Sequence, residues 1–281
     1  MTAPATMRVG RIPYINCYPV YGAIDRGIVP LDAKLVDGVP SVLNRRMAAG
    51  ELDISVVSAV EYARDAGRYL LLPDLAITCD GPVRSVLLFA KRPAPDLSGA
   101  RVLLSRSSMT SVALLRLLFD NVWHAAPDYS AGDAEASDVA RLADERHDAR
   151  LVIGDAALLL AAQSSPTYPY VYDLGAVWKA WTGLPFVFAV WVAQRTAPVR
   201  TALKLHASLI ESRNWGLANI DTLAEQASQA TRIARPTCAE YLSGLDYRLS
   251  YAHLAGLTDF FRRLAELGEV PNGSLAFLPA A

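Results

Sequence analysis

The chain has 281 residues, 52% hydrophobic and 20% charged, with a formal net charge of -1. That balance excludes a disordered chain and leaves no electrostatic footprint for nucleic acid. The longest apolar runs, 156–162 and 186–193, are far shorter than a bilayer span, so no membrane partner is expected.

The length admits one large domain or two smaller ones. Residues 1–6 show no basic region followed by an apolar core, so no secretory signal is expected there. Cys17, Cys79 and Cys238 are odd in number and widely spaced, which fits a reducing, cytoplasmic compartment. His124, His147, His206 and His253 show no ligand spacing, and no metal is expected.

In chain order, a β-like run at Arg8-Val9-Gly10 is followed by the loop Arg11-Ile12-Pro13-Tyr14-Ile15-Asn16-Cys17-Tyr18-Pro19 and a helix-like segment from Val20 to Arg26. Open α/β sheets bind ligands outside the carboxyl ends of their strands, which is where such a loop lies. Asn16, between two prolines, is either a ligand contact or an amide that satisfies nearby backbone. Pro40 to Gly50 reads as a helix and Leu52 to Val57 as a buried strand, completing a β-α-β crossover. A short helix is expected from Ala59 to Ala66, a strand from Tyr69 to Leu72, and a turn at Cys79-Asp80-Gly81-Pro82 before the strand Val86 to Ala90. Ser85 closes that turn as a ligand donor or a turn hydroxyl.

The charged, proline-rich run Lys91 to Asp96 reads as a linker into a second lobe. There the strand Ala100 to Ser105 leads through Arg106-Ser107-Ser108-Met109-Thr110-Ser111 to a helix from Val112 to Phe119. A helix N-terminus rich in hydroxyls suits a carboxylate or phosphate, and equally suits simple N-capping. After a polar stretch, 126–148, the strand Arg150 to Asp155 precedes an apolar helix, Ala156 to Ala162; Asp155 is a ligand contact or a cap for that helix. Tyr170 to Leu174 reads as a strand, Val177 to Trp181 as a helical turn, and Phe186 to Ala193 as a strand returning to the first lobe. Helices dominate from Pro198 on, with a core stripe of Leu254, Leu257, Phe260, Phe261, Leu264 and Leu267. The two crossings predict an α/β protein of two lobes with a hinge and a cleft, lobe I being 1–90 with 193–281 and lobe II 91–192.

Several of these segments together resemble the menaquinone-pathway chorismate dehydratases. They are Pro13-Tyr14-Ile15-Asn16-Cys17, Gly50-Glu51-Leu52-Asp53-Ile54, Cys79-Asp80-Gly81-Pro82-Val83-Arg84-Ser85, Thr110-Ser111, Ile153-Gly154-Asp155-Ala156-Ala157-Leu158 and Trp178-Lys179-Ala180-Trp181-Thr182-Gly183-Leu184-Pro185-Phe186-Val187-Phe188-Ala189. The resemblance implies a fold like the type II periplasmic binding proteins. It also implies conversion of chorismate to 3-[(1-carboxyvinyl)oxy]benzoate plus water, with no cofactor. Asn16 and Ser85 match family positions that bear on the ligand, and Ser108, Thr110 and Ser111 match its carboxylate-binding loop; Tyr14 and Asp155 are further expected substrate contacts. The substrate's own enolpyruvyl carboxylate is the expected base, with Asp155 the protein-based alternative. Arg11, Arg84 and Lys179 are either neutralisers of substrate charge or solvated cations. Two rivals share the fold: the sister dihydroxynaphthoate synthases of the same pathway, and a non-catalytic binding protein for a small carboxylate.

Overall fold

The computed structural model describes residues 6–132, 146–163 and 166–279. Residues 1–5, within the stretch read as lacking a secretory signal, and 133–145, within the polar stretch 126–148, lie outside the described residues. Contacts divide the chain into two units, one of Met1–Thr78 with Val187–Ala281 and one of Cys79–Phe186.

The chain begins with β1 (Arg8–Arg11), a 3-10 turn at Ile15–Cys17 and α1 (Tyr18–Asp25). There follow β2 (Lys34–Asp37), α2 (Pro40–Ala48), β3 (Ile54–Ser58), α3 (Ala59–Arg64) and β4 (Tyr69–Cys79). The second unit holds β5 (Val86–Ala90), β6 (Arg101–Ser105), α4 (Met109–Leu118), β7 (Asp128–Gly132), β8 (Ala149–Ile153), α5 (Gly154–Ala162), β9 (Tyr170–Asp173) and α6 (Leu174–Thr182). The chain returns through β10 (Phe186–Gln194) to α7 (Val199–Ala218), α8 (Ile220–Thr231), α9 (Arg235–Gly244) and α10 (Tyr251–Glu266).

The sheet of the first unit runs β2-β1-β3-β10-β4, with β1 parallel to β2 and β3, and β10 antiparallel to β3. Every residue of β3 and β10 is buried, as befits strands covered on both faces. The sheet of the second unit runs β7-β6-β8-β5-β9, with β6 parallel to β7 and β8, and β5 antiparallel to β8 and β9. Its core includes Leu87, Phe89, Val152, Ala157, Leu160 and Tyr168.

Several expectations need correcting. Val86–Ala90, expected in the first lobe, pairs with β8 and β9, so the second unit starts at Cys79 rather than at residue 91 and ends at Phe186 rather than at 192. The strand expected to stop at Leu72 continues to Cys79 through Pro73 and Asp74; Asp74 has a left-handed backbone (φ 51°) and is held by the buried guanidinium of Arg213. The helix expected from Val20 starts at Tyr18, and the one expected from Val112 starts at Met109. Leu267, placed in the core stripe of α10, is 54% exposed just past the helix end. His253 faces inward instead, at 5% exposure, with its Nδ1 accepting from the backbone N–H of Ser250 at 3.2 Å. None of the described helices is long and apolar enough to cross a membrane.

Candidate active site

In the first unit the register places the ends of β1, β2 and β3, at Arg11, Asp37 and Ser58, on one side of the sheet. The Tyr14–Asn16 segment leaves from that side. Its backbone is turned by the Cys17 N–H donating to the Tyr14 carbonyl at 3.0 Å, and Ile15 and Cys17 plug the turn into the core. Asn16 is partly exposed, yet its Oδ1 is buried and has no hydrogen-bond partner. A buried acceptor without a donor is costly, and such groups concentrate where a ligand supplies the missing partner.

The loop is braced from beneath. Arg11 donates to both carboxylate oxygens of Asp37, at 2.6 and 3.0 Å, and also pairs with Asp25. The hydrogen bond from Arg11 holds the Asp37 carboxyl below its ordinary range, and the Arg11 guanidinium is correspondingly harder to deprotonate. Arg11 is therefore committed to internal carboxylates and does not present a bare charge to a substrate. Tyr21 OH donates to the Gly10 carbonyl at 3.2 Å and accepts from Trp191 Nε1 at 3.0 Å; burial pushes its ionisation far up, so it serves as a neutral brace.

In the second unit, antiparallel β5 starts where β8 ends, with Val86 opposite Ile153, and β6 runs parallel to β8. Ser85, the loop after Ser105, and Asp155 therefore lie along one edge of one sheet. The N–H of Gly154 donates to the Ser85 carbonyl at 2.8 Å, directly joining two of these segments. Asp155 is half-buried in the first turn of α5 rather than at its cap, a position held by Ile153 without a side-chain hydrogen bond. The Ser85 side chain is 3% exposed.

At the head of α4, Ser108 is the N-cap, its Oγ accepting from the Ser111 N–H at 3.2 Å and donating to Ser111 Oγ at 2.8 Å. Thr110 and Ser111 are buried, at 1% and 2% exposure. The capping account thus holds for Ser108, while the helix still directs its N-terminal N–H groups and positive dipole end to the sheet edge that carries Ser85. Lys179 is paired with Asp80 at 2.5 Å and donates to the Gly183 carbonyl, so its charge is engaged at the loop. Among the described residues, no group of three or more His, Cys, Asp or Glu side chains gathers as metal ligands would.

The model of the menaquinone biosynthesis family matches residues 7–266. The chain belongs to this family.

Within the menaquinone biosynthesis family, the chorismate dehydratase of Thermus thermophilus is 33% identical over 244 residues, spanning 82% of this chain and 86% of the relative. The chorismate dehydratase of Campylobacter jejuni is 30% identical over 187 residues, spanning 65% of this chain and 66% of the relative. Among solved structures, a protein of Archaeoglobus fulgidus superposes with a TM-score of 0.80 at 20% identity, covering 94% of this chain and 98% of that one. The alkanesulfonate-binding protein of Xanthomonas axonopodis superposes with a TM-score of 0.69 at 14% identity, covering 97% and 96%. These likenesses establish the periplasmic-binding-protein-like fold expected from the sequence.

This member of the menaquinone biosynthesis family also places at the same sheet edges residues that sequence reasoning passed over. Asn44, 2% exposed, donates to Ser58 Oγ at 3.0 Å and accepts from the Ser58 N–H at 3.1 Å, pinning the end of β3. Asp173, at the end of β9, receives the N–H groups of Val83 and Arg84 ahead of Ser85. An Asp just before a helix is a visible N-cap signal, but its second set of partners has no local trace.

Proposed function

We propose that this protein is a chorismate dehydratase, a hydro-lyase that converts chorismate to 3-[(1-carboxyvinyl)oxy]benzoate and water. The observation that carries the reading is the unpartnered buried Oδ1 of Asn16, at a loop that matches the family's ligand-bearing position. The two dehydratase relatives support the choice of substrate.

Chorismate holds most of the driving force itself. Its C3 hydrogen is acidified by conjugation with the ring carboxylate, and loss of that proton and the C4 hydroxyl leaves an aromatic ring. The protein's work is to hold one conformer, exclude water, and stabilise the charge that develops as the C4–O bond breaks. In this proposal the enolpyruvyl carboxylate takes the C3 proton, the C3–H electrons form the new ring double bond, and the C4 hydroxyl leaves as water with that proton. A carboxylate withdrawn from water is a stronger base than one in solution. Asn16 positions the enolpyruvyl carboxylate or the departing hydroxyl, its Oδ1 orienting a hydroxyl by accepting from it and its amide N–H donating to an oxygen that gains charge. Ser85 donates to the substrate, Ser108, Thr110, Ser111 and the head of α4 take a carboxylate, and Tyr14 and Asp155 complete the contacts. The described cysteines are buried thiols without a disulfide, in keeping with a cytoplasmic site of action.

The test is turnover of chorismate measured beside turnover of the cyclised futalosine substrate of the sister synthase. The proposal expects an aromatic ultraviolet spectrum to grow in with chorismate alone. Turnover only of the futalosine derivative, or calorimetric binding of chorismate with no change in spectrum, contradicts it.

A further inference from the structure

We infer that Asp173 is a positioning residue for Ser85, acting through the backbone of Val83 and Arg84. The inference rests on the dehydratase reading in which Ser85 touches the substrate. One carboxylate gathers four backbone donors: Oδ1 accepts from Val83 at 3.0 Å, Gly175 at 2.9 Å and Ala176 at 3.1 Å, and Oδ2 accepts from Arg84 at 2.6 Å. Gly175 and Ala176 belong to the first turn of α6, and satisfying them is ordinary N-capping. Val83 and Arg84 lie 90 and 89 residues away in the chain, and capping α6 does not require them.

What they gain is a shape that the loop resists. Arg84 sits at φ 62°, in the left-handed region that a residue bearing a Cβ disfavours. Charge-assisted bonds from the two successive N–H groups to Asp173 hold it there. The strap is short because residue 175 is glycine: a Cβ at that position would lie 2.6 Å from the Gly81 carbonyl oxygen and 2.7 Å from Cys79 Sγ. Ser85 follows directly, its own carbonyl fixed from the other side by the Gly154 N–H at 2.8 Å. The backbone on both sides of Ser85 is thus fixed, by Asp173 before it and Gly154 beside it, and the Ser85 Oγ itself lies 3.5 Å from the carbonyl of Val83, the residue whose N–H Asp173 holds.

Asp173→Ser separates the two duties. A serine caps helices well, but its hydroxyl is too short to reach Val83 and Arg84 as well. The expected result is a thermal midpoint near wild type, faster hydrogen exchange at the amides of residues 83 and 84, and kcat for chorismate lower by about 100-fold with KM within about threefold, as a misplacement near 1 Å produces. Asp173→Asn, which keeps one acceptor oxygen but turns an NH2 toward a backbone N–H, shifts the same readouts in the same direction and serves if the serine variant fails to fold. Unchanged exchange at 83 and 84 overturns the strap. Faster exchange with full kcat overturns its link to Ser85. Wild-type protein inert toward chorismate refutes the dehydratase reading instead, and the exchange result then judges the strap by itself.

Discussion

The backbone N–H of Gly154 donates to the carbonyl oxygen of Ser85 at 2.8 Å, which ties the segment carrying Ser85 directly to the one carrying Asp155. Gly154 makes this bond from a left-handed backbone, φ 64°, at the junction of β8 and α5. A side chain there costs about 1–2 kcal/mol in backbone strain. Gly154→Ala is therefore expected to lower stability by that amount in a denaturant melt and to lower kcat by more than the stability loss accounts for. A variant with wild-type turnover would show that the junction does not set the geometry of Ser85.

Asn16 gives the opposite combination. Its Oδ1 is buried without a donor, a condition that costs about 1–3 kcal/mol. Asn16→Ala removes the orphaned acceptor, so the melting temperature is expected to stay level or rise while turnover falls roughly 100-fold, the scale of losing a group that positions the reacting substrate. Thermal melts and initial rates on the same preparation check both halves. A less stable variant with full turnover contradicts the assignment.

At the head of α4, Thr110→Val removes a hydroxyl from a buried, nearly isosteric position. A hydrogen bond to a charged group contributes about 1.5–3 kcal/mol, so the dissociation constant for chorismate is expected to rise roughly ten- to a hundred-fold. Isothermal calorimetry reads this directly, and unchanged affinity argues against a carboxylate at this helix end.

Much of this architecture is legible in the sequence because it is local. Pro40 at the start of α2 and the apolar runs of β3 and β10 announce a β-α-β unit and a return strand. The hydroxyl-rich 107–111 stretch announces the head of α4. The placement of β5 was not legible: Val-Leu-Leu-Phe-Ala is buried on both faces, and a strand without alternation carries no sign of which sheet it joins. The late end of β4 was hidden for a related reason, since Pro73 and Asp74 look like a terminator, while Arg213 and His206, both far along the chain, hold them: Arg213 donates to the Asp74 carboxylate and the His206 Nε2 meets the Pro73 carbonyl at 2.8 Å. The reach of Asp173 to Val83 and Arg84 is a tertiary contact that no spacing rule reports.

Glu61 offers a test by pH. It is 8% exposed in α3, and burial raises its carboxyl above the ordinary value of 4.5 despite the hydrogen bond donated by Tyr69 OH at 3.1 Å. Folding therefore favours the protonated form. The stability this confers is present below pH 4.5 and lost as the pH rises through the higher folded value. Glu61→Gln is expected to melt above wild type at pH 8, with the gap closing as the pH falls to 4.5 and below. A gap that is independent of pH contradicts a charge buried at a cost.

The most direct test of the central claim is product mass. Purified protein is mixed with chorismate, without added metal or cofactor, and the mixture is resolved by liquid chromatography with mass detection. The account predicts a new aromatic species lighter than chorismate by one water, formed by wild type and strongly suppressed in Asn16→Ala. Chorismate recovered unchanged at protein concentrations that bind it would contradict the account and leave a carboxylate-binding protein on a binding-protein fold.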